Sequence, residues 1–161
     1  MTSTTTVAFR VHAIDPDLLD TLRANGTDAS GNPLEHVVAT GGEPLRCCLR
    51  YADDGEALIL FGFEPALPAS PYREVGAVFT HAQRCAGPAD GDGYPATWRD
   101  RAQVLRAYDS RGWIHDSSTV HEGGDPERVI AEQFAHREVV LIHSRNIAYG
   151  CYMFAVTRPA G

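Results

Sequence analysis

Strand-length apolar segments follow one another through most of this chain, and only two helix-length patterns interrupt them. That order limits the fold more than any single motif, because strands joined by short turns rather than helical crossovers pair antiparallel. Residues 8–14 alternate as a strand. Asp15-Pro16 is an N-cap followed by proline at the first helical position; it predicts a short helix through about Arg23, ended at Asn25-Gly26. Segments 34–40, 45–51 and 56–64 read as successive strands, with Asp53-Asp54-Gly55 as a hairpin turn between the last two. A proline-rich loop spans 65–71, and strand character resumes over 74–82. Residues 87–95 form a long polar connection and 96–101 a helical turn. Strands follow over 103–109 and 113–121. Asp125-Pro126 repeats the cap-plus-proline signature ahead of an apolar stripe at Ile130 and Phe134. The last strand pair covers 138–144 and 150–158. Val139-Val140-Leu141-Ile142 is apolar on both faces, which places its strand at the centre of a sheet. The sum is α+β: a disordered N-terminus over 1–7, then a single domain over 8–158. That domain is built on a largely antiparallel, curved sheet of about eight strands with two helices.

A hydrophobic content of 43% supports a core of this size without metal or disulfide staples. No apolar run is long enough for a membrane span, and the Thr-rich start is unlike a signal peptide, so a cytoplasmic protein with no membrane partner is expected. The net charge of −7 argues against nucleic acid. All 14 basic residues are arginine, which excludes Schiff-base, P-loop and general-base chemistry by lysine. Cys47, Cys48, Cys85 and Cys151 contain no CxxC pair; buried, reduced thiols are expected for at least three of them, Cys47 and Cys48 pointing to opposite faces of a strand. His115-Asp116 and His121-Glu122 lie six residues apart, about 20 Å along a strand, too far to share an ion. No HExxH or other ligand set occurs, and neither a metal nor a cofactor is expected.

Four stretches set reactive polar side chains within apolar patterns: Ser70-Pro71-Tyr72-Arg73, Arg106-Ala107-Tyr108-Asp109, His143-Ser144-Arg145-Asn146 and Gly150-Cys151-Tyr152. Burying such groups costs free energy unless partners are supplied, so their concentration points to a shared site. His143 is the candidate general acid/base, with Tyr108 as a second donor on the adjacent strand. Arg106 alternates onto the same face as Tyr108 and reads either as half of an anion clamp or as a structural ion-pair partner. Arg73, beside Tyr72 on the proline-fixed loop, is the preferred anion anchor. Arg145 and Asn146 sit at a strand-to-turn junction, where sites often lie. Cys151 reads either as a thiol nucleophile assisted by His143 or as a packed core residue.

These motifs, together with 46–49, the strand at 58–61, Gly76, Phe79 and Gly112, resemble the bacterial family catalogued as domain of unknown function 1203. The likeness runs from Phe9 to Arg158 and is most specific in the two C-terminal motifs. The resemblance implies one fold and carries no activity. This chain departs from it at Gly76-Ala77, where the family resembles Gly-Pro, and at Phe61-Gly62-Phe63, where the family is more polar.

Two functions from different classes follow. One is a small cofactor-independent enzyme acting on an anionic or polar metabolite by proton transfer, in elimination, cyclisation or isomerisation, as in a biosynthetic pathway. Its residues are His143, Tyr108 and Cys151 for chemistry, and Arg73, Tyr72, Arg106, Arg145 and Asn146 for binding. The other is a non-catalytic domain that holds a small-molecule ligand or a partner. A homodimer is compatible with both. A third reading makes the polar motifs internal hydrogen-bond networks.

Overall fold

The computed structural model describes residues 8–159; the expectation of a disordered 1–7 falls outside them. Ten strands and two helices form an α+β domain with two five-stranded sheets rather than one curved sheet of eight. The first sheet runs β1 (Arg10–His12), β10 (Tyr152–Thr157), β9 (Leu141–Arg145), β7 (Gln103–Tyr108), β8 (Thr119–His121), antiparallel throughout. The β9 strand is central, as its two-sided apolar run predicts. The second sheet runs β2 (Glu35–Val38), β5 (Ala57–Phe63), β6 (Gly76–His81), β3 (Pro44–Leu45), β4 (Arg50–Tyr51), with only β3 and β6 parallel.

Both helices start where the Asp-Pro signatures place them. In α1 (Pro16–Asn25) the Asp15 carboxylate accepts from the Asp17 amide, and Gly26 closes the helix at φ 73°. In α2 (Pro126–Phe134) Asp125 accepts from the Arg128 amide. The α2 helix buries Val129, Ile130 and Phe134 against one face of the first sheet, with Leu105, Ile142, Phe154 and the fully buried Trp98. The other core joins Leu19 of α1 to Leu45, Leu58, Ile59 and Val78 of the second sheet.

The segment 45–51 departs from its strand pattern. Residues 46–49 form a turn: the Leu49 amide donates to the Leu45 carbonyl at 3.0 Å, and Leu49 takes φ 56°. A left-handed leucine costs of order a kcal/mol and persists only where the surroundings over-determine it. Here packing does so. The Leu49 side chain enters the first core, while Cys47 and Cys48 enter the second. The two thiols consequently lie side by side, Sγ to Sγ 3.9 Å, instead of on opposite faces. Because β4 pairs with β3, Asp53-Asp54-Gly55 turns the chain without making a hairpin; the neighbours of β5 are β2 and β6. Segment 113–121 is strand only at its end, since residues 113–118 turn back on Asp109 and Ala107.

Candidate functional site

Strand register puts Arg106 opposite His143, Val104 opposite Arg145, and Arg145 opposite Tyr152. Cross-strand partners share a face, so these polar side chains gather on the side of the first sheet away from α2. The loop between β5 and β6 folds over that face. It is pinned where the Ser70 hydroxyl donates to the Gly112 carbonyl at 2.8 Å. Gly112 has φ 78°, and a Cβ there would meet the Pro68 carbonyl at 2.7 Å, so the close approach of loop to turn requires glycine.

Beneath the loop, His143 is only 3% exposed and lies between two tyrosines, its ring centroid 4.9 Å from Tyr108 and 5.1 Å from Tyr152. Burial, with the charges of Arg145 and Arg106 adding to it, lowers its pKa to about 4; the Ala66 carbonyl opposes that shift. The imidazole is therefore neutral at pH 7. Its Nε2 is buried with no hydrogen-bond partner among the described residues. The adjoining void, lined by Tyr72, Arg73, Tyr108, His143 and Arg145, is about 10 Å³, room for one water.

The arginines around it are paired. Arg73 binds Glu64 and is half exposed, whereas Arg106 and Arg145 converge on a single Glu74 oxygen at 3.8 and 2.5 Å. One carboxylate between two guanidiniums leaves the trio at +1. Tyr72 packs edge-on against Trp113, with centroids 6.0 Å apart. The Asn146 amide donates to the Cys151 carbonyl at 2.8 Å, and Gly150 turns the hairpin at φ 70°. Cys151 lies just before β10, whose first residue is Tyr152. His143 sits opposite Ala155, four residues on, so the two are separated by about 10 Å or more of strand. Cys151 and His143 do not form a hydrogen-bonded pair among the described residues; the Cys151 thiol faces the Tyr149 carbonyl at 3.7 Å.

Two larger cavities open beside the void. One, about 230 Å³, shares Pro65, Glu74 and Arg145 with it and continues to Tyr149 and Cys151. The other, about 390 Å³, shares Ala77, Tyr149 and Cys151 with the first and reaches Arg46, Leu60 and Phe79. That volume suits a small organic molecule.

Arg46 was no candidate on sequence grounds beyond its place in the family motif, yet it is the most unusual charge in the fold. It is 2% exposed, donates from Nε to the Tyr152 carbonyl at 2.8 Å and from Nη1 to the Pro44 carbonyl, and meets no carboxylate among the described residues. Burial pulls its pKa down to about 10, while contact with the Cys151 side chain works in the opposite direction. It remains charged at neutral pH. Glu43, the acidic residue of the same cavity, is committed to its own turn, where its carboxylate accepts from the Thr40 and Gly41 amides at 2.8 and 2.9 Å. Glu74 carries no sequence signal, because the two arginines it joins come from separate strands.

The histidines expected to lie along one strand diverge. His121 is buried and bonded to the Tyr94 hydroxyl at 2.9 Å, whereas His115 sits in the turn with its ring 5.0 Å from that of His136. Two groups among the described residues have metal-ligand character and spacing: His115 with His136 and Glu138, mostly exposed, and the more buried set Cys47, Cys48, His81 and Cys85.

Residues 42–158 match the family model described as a protein of unknown function, DUF1203. The chain belongs to this family. The DUF1203 match covers the 46–49 turn, the covering loop and both C-terminal motifs, while β1, α1 and β2 precede it, so it begins later than the likeness at Phe9 suggests. No curated protein and no solved structure matches the chain.

Proposed function

We propose that this chain holds a small anionic organic metabolite in the 390 Å³ cleft, with Arg46 as its anchor. The observation that carries this reading is a buried arginine with no carboxylate partner among the described residues, beside a cavity of ligand size. A buried charge is normally paired; a carboxylate or phosphate of the ligand would supply the missing partner in the geometry a guanidinium favours. Leu60, Ala77 and Phe79 offer apolar surface to a carbon skeleton, and the 84% exposed Tyr149 sits at the mouth. Thermal-shift titration with small mono- and dicarboxylates and inorganic phosphate tests the reading. At least one should stabilise the wild type, and Arg46→Met should lose that stabilisation. Retention of the full shift by Arg46→Met would remove Arg46 from the site.

A second reading adds proton-transfer catalysis, and the buried Nε2 of His143, with no hydrogen-bond partner among the described residues, favours it. The lone pair is free at neutral pH but weakly basic at a pKa of about 4, so a bound anion beside the ring would have to raise it, and Tyr108 lies against the same ring. The substrate would extend from Arg46 past Cys151 towards Arg145. The enzyme reading expects solvent deuterium to enter a bound carboxylate at the carbon beside its carbonyl, and His143→Gln to abolish that exchange while leaving the thermal shift. Exchange undiminished in the variant would exclude His143 as the base.

A further inference from the structure

We propose that Cys47, Cys48, His81 and Cys85 form a closed tetrahedral site for a single divalent zinc-type ion, which ties the 46–49 turn to the end of β6. The four donor atoms lie within 4.8 Å of one another. Cys47 Sγ and Cys48 Sγ are 3.9 Å apart, and His81 Nδ1 is 3.5 Å from the first and 3.8 Å from the second. Bonds of about 2.3 Å to sulfur and 2.0–2.1 Å to nitrogen give tetrahedral edges of roughly 3.5–3.8 Å, so a metal fits with little movement. Soft thiolates with one imidazole suit zinc over harder cations.

The surroundings match a ligand set rather than inert core thiols. When Nδ1 binds metal, Nε2 carries the ring proton, and here Nε2 faces Glu56 Oε1 at 3.2 Å. That carboxylate is itself held by Arg50 at 2.8 Å and by the Asp53 amide. A carboxylate behind a ligating histidine fixes its tautomer and raises its basicity. The His81 backbone amide donates to Cys47 Sγ at 3.3 Å, offsetting thiolate charge. Three thiolates and a dication carry −1, and Arg50 provides a nearby positive charge. Its Nη2 lies 3.2 Å from His81 Nε2; with the ring proton on Nε2 that contact is no hydrogen bond, leaving Glu56 as the acceptor for Nε2. Cys85 is half-buried beside a small opening shared with Arg23 and Arg84, which offers an entry path. The strained turn is what makes the site: in a regular strand the two adjacent cysteines would point apart. Four protein ligands leave no open position, so the role is structural. The same turn carries Arg46, and the ion would hold that residue's backbone in place.

The test uses the full chain, reduced and stripped of metal, then titrated with cobalt(II). Expected are the strong visible bands of tetrahedral cobalt with thiolate-to-cobalt charge transfer, saturating at one ion per chain and displaced stoichiometrically by zinc. Cys85→Ser should lose about a third of the charge-transfer intensity at saturation, one thiolate of three, and bind cobalt more weakly, whereas Cys151→Ser should retain all of it. Near-ultraviolet circular dichroism confirms that each variant is folded. The proposal is overturned if cobalt keeps the weak spectrum of its aqueous ion, or if folded Cys85→Ser binds with wild-type intensity. A disulfide among these cysteines in protein purified with zinc and without oxidant would also overturn it.

Discussion

Arg46 and His143 are both cations-in-prospect buried near the junction of the two sheets, and burial treats them alike. It lowers Arg46 to about 10 and His143 to about 4. At neutral pH the consequence is opposite: the guanidinium keeps its charge and the imidazole gives its up. The ordinary pKa of arginine lies so far above neutrality that desolvation cannot discharge it, whereas that of histidine does not. Burial therefore leaves an electrostatic anchor at the Tyr152 carbonyl and a neutral imidazole against the Tyr152 ring. It is this division, more than the count of polar residues, that makes the region resemble a site.

The largest expected effect comes from the histidine. The unfolded chain binds a proton on this ring near pH 6.5 and the folded chain only near 4. Between those values the unfolded state holds more protons, so stability present above pH 6.5 is lost as the pH falls through the window. The loss is about 3 kcal/mol. Urea midpoints measured at pH 7 and 4.5 should show this acid limb in the wild type and a flatter one in His143→Gln. An equally steep limb in the variant would mean that other groups carry the titration and that His143 is not held neutral by burial.

Arg46 should respond differently. Arg46→Met removes a charge whose burial is costly but leaves the Tyr152 and Pro44 carbonyls without their donor. The two terms oppose, and each is about 1–3 kcal/mol. The variant should thus stay folded and change stability less than acid does, while losing anion binding. Severe unfolding would recast Arg46 as a structural clasp between the sheets.

How much of this is legible in the sequence depends on the range of the interaction. The helix starts are local, since an aspartate before a proline caps a helix wherever it occurs, and both fall in place. The centrality of β9 is also local, written in four apolar residues. The convergence of Arg106, Tyr108 and His143 follows from period-two alternation once β7 and β9 pair. What failed was anything decided by a distant partner. Leu45 to Tyr51 has the alternation of a strand, and only the two cores on either side pull Leu49 one way and the cysteines the other. That Arg46 meets no carboxylate among the described residues while Arg73 meets one cannot be read from a chain with 21 acidic residues. Glu64 and Glu74 bracket the covering loop, and their pairings depend on how the loop lies over the sheet.

Glu74 offers an intermediate case. Glu74→Gln removes the one negative charge between Arg106 and Arg145, so the guanidiniums repel each other and crowd His143 with net charge +2. Glu74 is about half exposed, and solvent screens the loss to about 1 kcal/mol. Because added positive charge disfavours the imidazolium further, the acid limb should keep its onset near pH 6.5 and become deeper, extending to lower pH. A shallower limb in the variant would show that Glu74 is not the group balancing those arginines.

The smallest effect is expected at Arg73, the loop arginine that sequence alone favoured as the anion anchor. Its guanidinium is half exposed and already bound to Glu64. An exposed pair of this kind contributes at most about 1 kcal/mol, and often nothing measurable. Arg73→Ala should leave the urea midpoint nearly unchanged and keep the ligand-induced thermal shift that Arg46→Met loses. The pair of variants thus separates two anchors that line different cavities. If Arg73→Ala were the one to lose the shift, the ligand would sit under the loop beside His143. The 10 Å³ void there would then have to open to admit it, and the loop, rather than the cleft, would be the functional element.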